Sequence, residues 1–302
     1  MRRPNWIVDL PVFFARRHLL RQKPPLLASV KLTYRCNLQC LPCPFHLRSG
    51  SEGDPMGWEQ ALTSLGHLKR LGTKIVVFEG GEPFLWRDGR RDLKDLVRRA
   101  QRLFPCVAVT TNGTFPLDCP SDVLWVSLDG LKATQDRLRS HSFDRVWANL
   151  QTARHPRLRV HMTLNRENWR ETEAMLLALR SVPAIGGVTV QFFYPYGQGE
   201  ASLVLSPEER EQAVEMLLYL KRRYPILNST GCLKAMLDNR WRCHDDLLVN
   251  VDPDGSVTQG CYLKNRGAID CRLCGFTPVA EASRALVGRP GSLLAGWRCY
   301  FG

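Results

Sequence analysis

The sequence predicts an α/β fold of parallel strands followed by a small cysteine-rich C-terminal domain. Three observations carry this. Six short runs rich in Val, Ile, Leu, Phe and Thr alternate with helix-patterned runs between residue 28 and about residue 194. Gly, Pro, Asn or Asp bounds each run, as strand ends require. Beyond about residue 228 the pattern gives way to turns and cysteines.

Residues 1–27 form a basic segment. The first 35 residues hold eight Lys/Arg against the single acid Asp9, mixed with Trp6, Phe13, Phe14 and Leu19. That mixture suits either peripheral membrane contact through residues 1–23 or a helix packed on the main domain. Strands are expected at 29–33, 74–78, 107–111, 124–128, 158–163 and 188–193. Helices are expected at 55–71, 93–103, 135–154, 171–179 and 207–224, from apolar spacing such as Met56, Leu62, Leu65 and Leu68. Strand–helix alternation implies parallel strands joined by right-handed crossovers, as a barrel or a doubly wound sheet. Functional loops in either fold lie at strand C-terminal ends. In the tail, Asp252-Pro253-Asp254-Gly255 separates two apolar runs, 247–251 and 256–258, which reads as a β-hairpin.

A chain of 302 residues is long enough to bury a full core without disulfides. Its 24% charged and 9% aromatic residues exclude disorder. No apolar run approaches the roughly 18 residues of a spanning helix. The apolar stretch 6–15 is broken by Asp9 and Pro11 and lacks a small-residue cleavage site, so it does not read as a secretory signal. A cytoplasmic protein, with membrane association through its basic segment as an option, is therefore expected. Eleven cysteines in a reducing compartment point to metal or redox chemistry. The net charge of +13 comes with no recognisable RNA-binding module, and no nucleic-acid partner is expected.

Directly after the first strand comes Tyr34-Arg35-Cys36-Asn37-Leu38-Gln39-Cys40-Leu41-Pro42-Cys43. Three thiolates on one loop can each bind one iron of a [4Fe–4S] cube and leave the fourth iron open. Zinc, with His46 as a fourth ligand, is the alternative. Gly80-Gly81-Glu82-Pro83 follows the second strand, Thr110-Thr111-Asn112-Gly113 the third, and Val126-Ser127-Leu128-Asp129-Gly130 the fourth. Together these motifs strongly resemble the radical S-adenosylmethionine (SAM) superfamily.

The resemblance implies a partial (β/α)6 barrel over residues 28–225. It implies a [4Fe–4S] cluster on Cys36, Cys40 and Cys43 whose open iron binds SAM. Reductive cleavage then gives a 5′-deoxyadenosyl radical that attacks an organic substrate. Gly80, Gly81, Glu82 and Pro83 would meet the methionyl ammonium, and Ser127 and Asp129 the ribose. Asn112 would contact the cofactor from the third loop, with plain turn chemistry before Gly113 as the alternative, while Thr163 and Asn165 would reach the SAM carboxylate or adenine. An electron donor such as flavodoxin or ferredoxin is implied.

In the tail, Cys243, Cys261, Cys271 and Cys274 resemble an auxiliary-cluster domain of the SPASM/Twitch type, assigned to residues 226–302. One auxiliary [4Fe–4S] cluster is expected there, with Cys232 or Cys299 as substitute ligands and a structural zinc as the alternative. The spacing departs from the usual pattern, with five residues rather than four between Gly255 and Cys261. The short basic leader and Gly260-Cys261-Tyr262-Leu263 are loosely similar to the adenosyl-hopene transferase group, which implies a lipid or isoprenoid substrate. Peptide modification and small-molecule natural-product chemistry are the alternatives. Phe193 and Tyr194, at the end of the sixth strand, are the expected substrate wall, alternate residues facing opposite sides.

Overall fold

The computed structural model describes residues 4–43, 55–197, 200–264 and 269–302. In chain order these hold α1 (Trp6–His18), β1 (Leu27–Lys31), α2 (Trp58–Leu71), β2 (Ile75–Glu79), a two-residue ribbon of β3 (Arg87–Asp88) and β4 (Arg91–Asp92), and α3 (Leu93–Ala100). Then come β5 (Cys106–Thr111), β6 (Val123–Ser127), α4 (Lys132–Leu138), α5 (Phe143–Thr152), β7 (Leu158–Leu164), α6 (Thr172–Leu179), β8 (Ile185–Phe192) and α7 (Pro207–Leu220). The tail adds α8 (Thr230–Ala235), β9 (Leu248–Val251), β10 (Val257–Gln259), α9 (Thr277–Leu286) and α10 (Pro290–Tyr300).

All six expected strands form, with small shifts at their ends. The sheet order is β10-β9-β1-β2-β5-β6-β7-β8, and every neighbouring pair is parallel except β9 with β10. Helices cover the outer face, giving a partial barrel. Alternation along each strand sorts the side chains. Val76 and Phe78 of β2 enter the large core beneath the helices, while Ile75 and Val77 face the barrel interior. Local chemistry sets the helix ends. Ser206 and Glu209 form a capping box that starts α7 behind Pro207. Gly72, at φ 90°, ends α2 in the left-handed region that glycine favours.

The structure corrects one expectation and adds a pairing to another. The helix expected at 135–154 is two helices, because Ser140 and His141 both take φ 53° and turn the chain between α4 and α5. The hairpin 248–259 forms around the Asp-Pro-Asp-Gly turn, but β9 also pairs in parallel with β1. The tail therefore extends the barrel sheet. At the other end of the strands, Tyr300 and Phe301 pack against Ile75, Val77 and Trp125 inside the barrel. Among the described residues no helix is long and apolar enough to cross a membrane.

Candidate active site

The barrel interior changes character along the strands. Inward residues at the strand starts are apolar, Leu27 and Ile75, and Trp125 in the middle of β6 adds to them. Further along come Ser29, His161 and Thr189, and at the C-terminal ends Glu79, Ser127, Thr163 and Gln191. A cavity of about 440 Å³ runs through these layers. Its polar end is bordered by Cys36, Cys40, Cys43, Gly80, Gly81 and Asn112. The geometry thus brings three of the four sequence motifs to one wall, and Ser127 of the fourth joins them.

The cysteine loop is pinned by backbone and side-chain hydrogen bonds to three neighbouring loops. Gly81 N donates to Thr33 O at 2.8 Å, and Glu82 N to Arg35 O at 2.9 Å. Leu41 N donates to Leu138 O, and Gln39 N to Ser140 Oγ. Asn37 donates to Thr114 Oγ1, and Asn112 Nδ2 donates to Asn37 Oδ1 and to Cys36 Sγ. A Cβ on Gly81 would stand 2.2 Å from Arg35 O, so only glycine permits this approach. Burial raises the pKa of the Cys36 thiol, and pushes that of Cys40 up to about 12 although Arg139 opposes it. Thiols so placed need a cationic partner to ionise. Three thiols on one backbone-pinned wall suit the irons of a cubane, and this donor set fits the group that the motif implies. Among the described residues no three His, Cys, Asp or Glu converge for a single metal ion. His46 lies outside the described residues.

Several expected contacts stand behind the wall instead of on it. Glu82 is fully buried and accepts hydrogen bonds from Phe84 N, Thr111 Oγ1 and Asn112 N, so its carboxylate ties the second loop to the third. Pro83 is buried beside it. Asp129 accepts from Thr163 N at 2.7 Å and from Arg139 Nε at 2.5 Å, and is fully buried. Asn165 shapes its own turn, accepting from Glu167 N, and its Nδ2 has no partner among the described residues. Ser127 and Thr163 do border the cavity.

Arg139 and His161 are among the wall residues that escaped the sequence reading. Arg139, at the end of α4, borders the cavity beside Cys40 and Cys43. His161 on β7 meets Thr189 Oγ1 at 3.0 Å, and burial pushes its pKa down to about 4. Their signal was positional: His161 lies two residues before Thr163, on the same strand face.

Phe193 and Tyr194 both border the cavity, as do Phe192 and Tyr196. The strict alternation expected there fails because β8 ends at Phe192. Tyr194 Oη accepts a hydrogen bond from Asp270 N at 2.9 Å, and its ring stacks on Phe276. The residue joins the cavity to the cysteine-bearing loop of the tail.

In that tail Cys261, Cys271 and Cys274 all lie close enough to Cys243 to bear on its thiol. Burial, then Asp245 and the other three thiols, push Cys243 up to about 12. Cys261 also borders the cavity. Cys232 is fully buried with its thiol towards Thr277 O, and Cys299 is half-buried at the base of the barrel. Cys106 and Cys119 are buried.

Residues 30–179 match the model of the Radical SAM superfamily. Among curated proteins, Fe-coproporphyrin III synthase of Methanosarcina barkeri is 27% identical over 227 residues, covering 68% of this chain and 54% of that protein. AdoMet-dependent heme synthase of the same organism is 25% identical over 281 residues, covering 84% of this chain and 78% of that protein. The chain therefore spans about half the length of the first of these relatives. Among solved structures, Streptococcus suis SuiB bound to precursor peptide SuiA superposes with a TM-score of 0.65 at 14% identity, over 91% of this chain and 70% of that one. The structure of anSMEcpe with AdoMet and the Cp18Cys peptide gives 0.59 at 18% identity, over 89% and 82%. With fold, loop motifs and family model in agreement, this chain belongs to the radical SAM superfamily, whose enzymes use a [4Fe–4S] cluster and S-adenosylmethionine.

Proposed function

We propose that the chain cleaves SAM reductively at a [4Fe–4S] cluster held by Cys36, Cys40 and Cys43 and directs the resulting radical at a tetrapyrrole-type substrate. The carrying observation for the first half is the shared cavity wall of the three thiols, Gly80, Gly81 and Asn112. When bound, the cluster and SAM supply the electron and the 5′-deoxyadenosyl radical. The chain's own residues position and exclude water. Gly80 and Gly81 bring backbone close to the methionyl end. Arg139 offers a guanidinium for the carboxylate, and Ser127 and Thr163 offer hydroxyls for the nucleoside. Glu82, Pro83, Asp129 and Asn165 act by holding those loops.

The substrate class rests on the relatives. The heme synthase aligns over 84% of this chain, and both curated relatives carry tetrapyrrole names, so that class displaces the expected lipid or isoprenoid. A mostly apolar cavity with a few polar groups at one end suits an amphipathic macrocycle. Peptide modification has support only from fold likeness. We further assign residues 28–225 to the barrel and 226–302 to an auxiliary-cluster domain in which Cys243, Cys261, Cys271 and Cys274 hold a second [4Fe–4S] cluster. A one-electron donor such as flavodoxin or ferredoxin, and membrane contact through residues 1–23, complete the reading.

Anaerobic assays with dithionite test it. The intact protein should release 5′-deoxyadenosine, and the Cys36→Ala/Cys40→Ala/Cys43→Ala variant should release none. Adding iron-coproporphyrin should yield a product of changed mass. Persistent cleavage by the triple variant would remove the site assignment. Absence of any tetrapyrrole product would remove the substrate class alone.

A further inference from the structure

Helix α1 is apolar on both its faces. Its inner face is anchored by Phe13, packed with Leu247 and Leu286. Its outer stripe is Ile7, Val8, Pro11 and Val12, with Ile7 and Val8 about 60% exposed. The spacing i, i+1, i+4, i+5 places these four on one side of the helix. Leu19 and Leu20, just beyond the helix, are 78% and 63% exposed. A helix on the surface of a globular protein normally turns polar residues outward, and a contiguous apolar stripe marks a contact surface.

A second helix continues this surface. The Trp6 ring lies 5.3 Å from Phe301, so the start of α1 meets the end of α10. Helix α10 exposes Leu293, Leu294 and Trp297. Charge then selects the occupant. No acidic residue occurs at 10–35 or at 287–302. Among the described residues the two acids that reach α1 are already paired, Asp9 with Lys74 and Asp246 with Arg17. Arg21, Lys23, Arg289 and Arg298 are exposed along the same two segments. An apolar stripe edged by cations fits an anionic lipid surface. A second copy of the chain would bring an equally basic face against it.

We infer that α1 and α10 together form a docking face for the anionic surface of a lipid bilayer. This rests on, and deepens, the reading of residues 1–23 as a membrane-contact segment. Leu10 and Phe14 of α1 and Leu293 and Trp297 of α10 also line the apolar end of the barrel cavity. Docking would turn that end of the cavity towards the bilayer.

The test is flotation of the full chain with vesicles containing phosphatidylglycerol, compared with pure phosphatidylcholine. It uses neither SAM nor substrate, so failure of the catalytic reading leaves it untouched. The protein should float with the anionic vesicles, less so as salt rises. Val8→Glu/Val12→Glu should weaken binding about ten-fold or more, through lost insertion and added negative charge. Leu294→Glu should weaken it as well. Leu177→Glu, an equally exposed site on α6, should bind like the wild type, and circular dichroism should show all variants folded. Lack of flotation with anionic vesicles, or undiminished binding by the α1 double variant, would overturn the inference. So would a wild-type dimer in sedimentation velocity that the same variants dissolve, since the stripe would then be covered by a second copy.

Discussion

At the scale of single residues, function here is divided between groups on the cavity wall and groups immediately behind it. Glu82 belongs to the second loop motif, and its carboxylate is engaged by the loops behind the wall. Its carboxylate takes three hydrogen bonds, yet burial dominates and its pKa is pushed from 4.5 up to about 7. Thr111 can reverse its hydroxyl and accept the added proton, whereas the two backbone N–H groups cannot reverse. The folded state therefore holds this proton more tightly than the unfolded state does. The resulting stability is full below pH 4.5 and is lost as pH rises through 7, by about 3 kcal/mol in the metal-free chain. Glu82→Gln should remove that part of the pH dependence. Urea midpoints measured across this window in both proteins check it, and parallel curves would show that Glu82 is ionised throughout. Legibility followed the same division. Gly81 was readable because close backbone approach demands glycine. Asp129 and Asn165 were readable only as residues of the right loops, since sequence does not show which side of a wall a carboxylate or amide occupies.

At the scale of elements, the turn between α4 and α5 matters most to the site. The apolar spacing of 135–154 suits one helix, and nothing in periodicity announces the left-handed Ser140 and His141. Yet this break ends α4 at the cysteine loop, where Leu138 O and Ser140 Oγ accept from Leu41 N and Gln39 N. It also brings Arg139 to the cavity, its Nε on the buried Asp129. The strands were easier to read, because bounded apolar runs report a buried parallel strand directly. Pairing of β9 with β1 was not legible, since partners more than 200 residues apart leave no local pattern. The Arg139–Asp129 pair yields a prediction at this scale. Arg139→Met leaves a buried carboxylate without its cation and should cost about 3–5 kcal/mol. Adding Asp129→Asn should recover most of that loss, because the unpaired charge is then gone. Chemical denaturation of the two variants decides it. An equal loss in both would mean that the guanidinium stabilises by packing, and that the pair does not organise the turn.

At the scale of the whole molecule, the sheet makes one structure of two cysteine sites. Cys36 follows β1, Cys243 precedes β9, and the two strands are hydrogen-bonded neighbours over four residue pairs. Lys31 at the end of β1 donates to Asn250 of β9, and Tyr34 donates to Asp252 at the tip of the hairpin. A tail joined in this way cannot loosen without disturbing the loop that carries the first three cysteines. Anaerobic reconstitution should load about eight irons per chain, and about four when Cys36, Cys40 and Cys43 are all replaced by Ala. Cys243→Ala should lose the tail irons and, because ligand binding and folding are linked, destabilise the hairpin. The shared sheet then predicts a further effect: iron in the first site should also fall, and unfolding should remain a single transition by circular dichroism and tryptophan fluorescence. Two separate transitions, with the first site fully loaded in Cys243→Ala, would show that the tail is energetically independent despite the β1–β9 pairing. Zinc in place of iron at the tail cysteines would leave the coupling intact and remove the auxiliary cluster, which separates the structural claim from the chemical one.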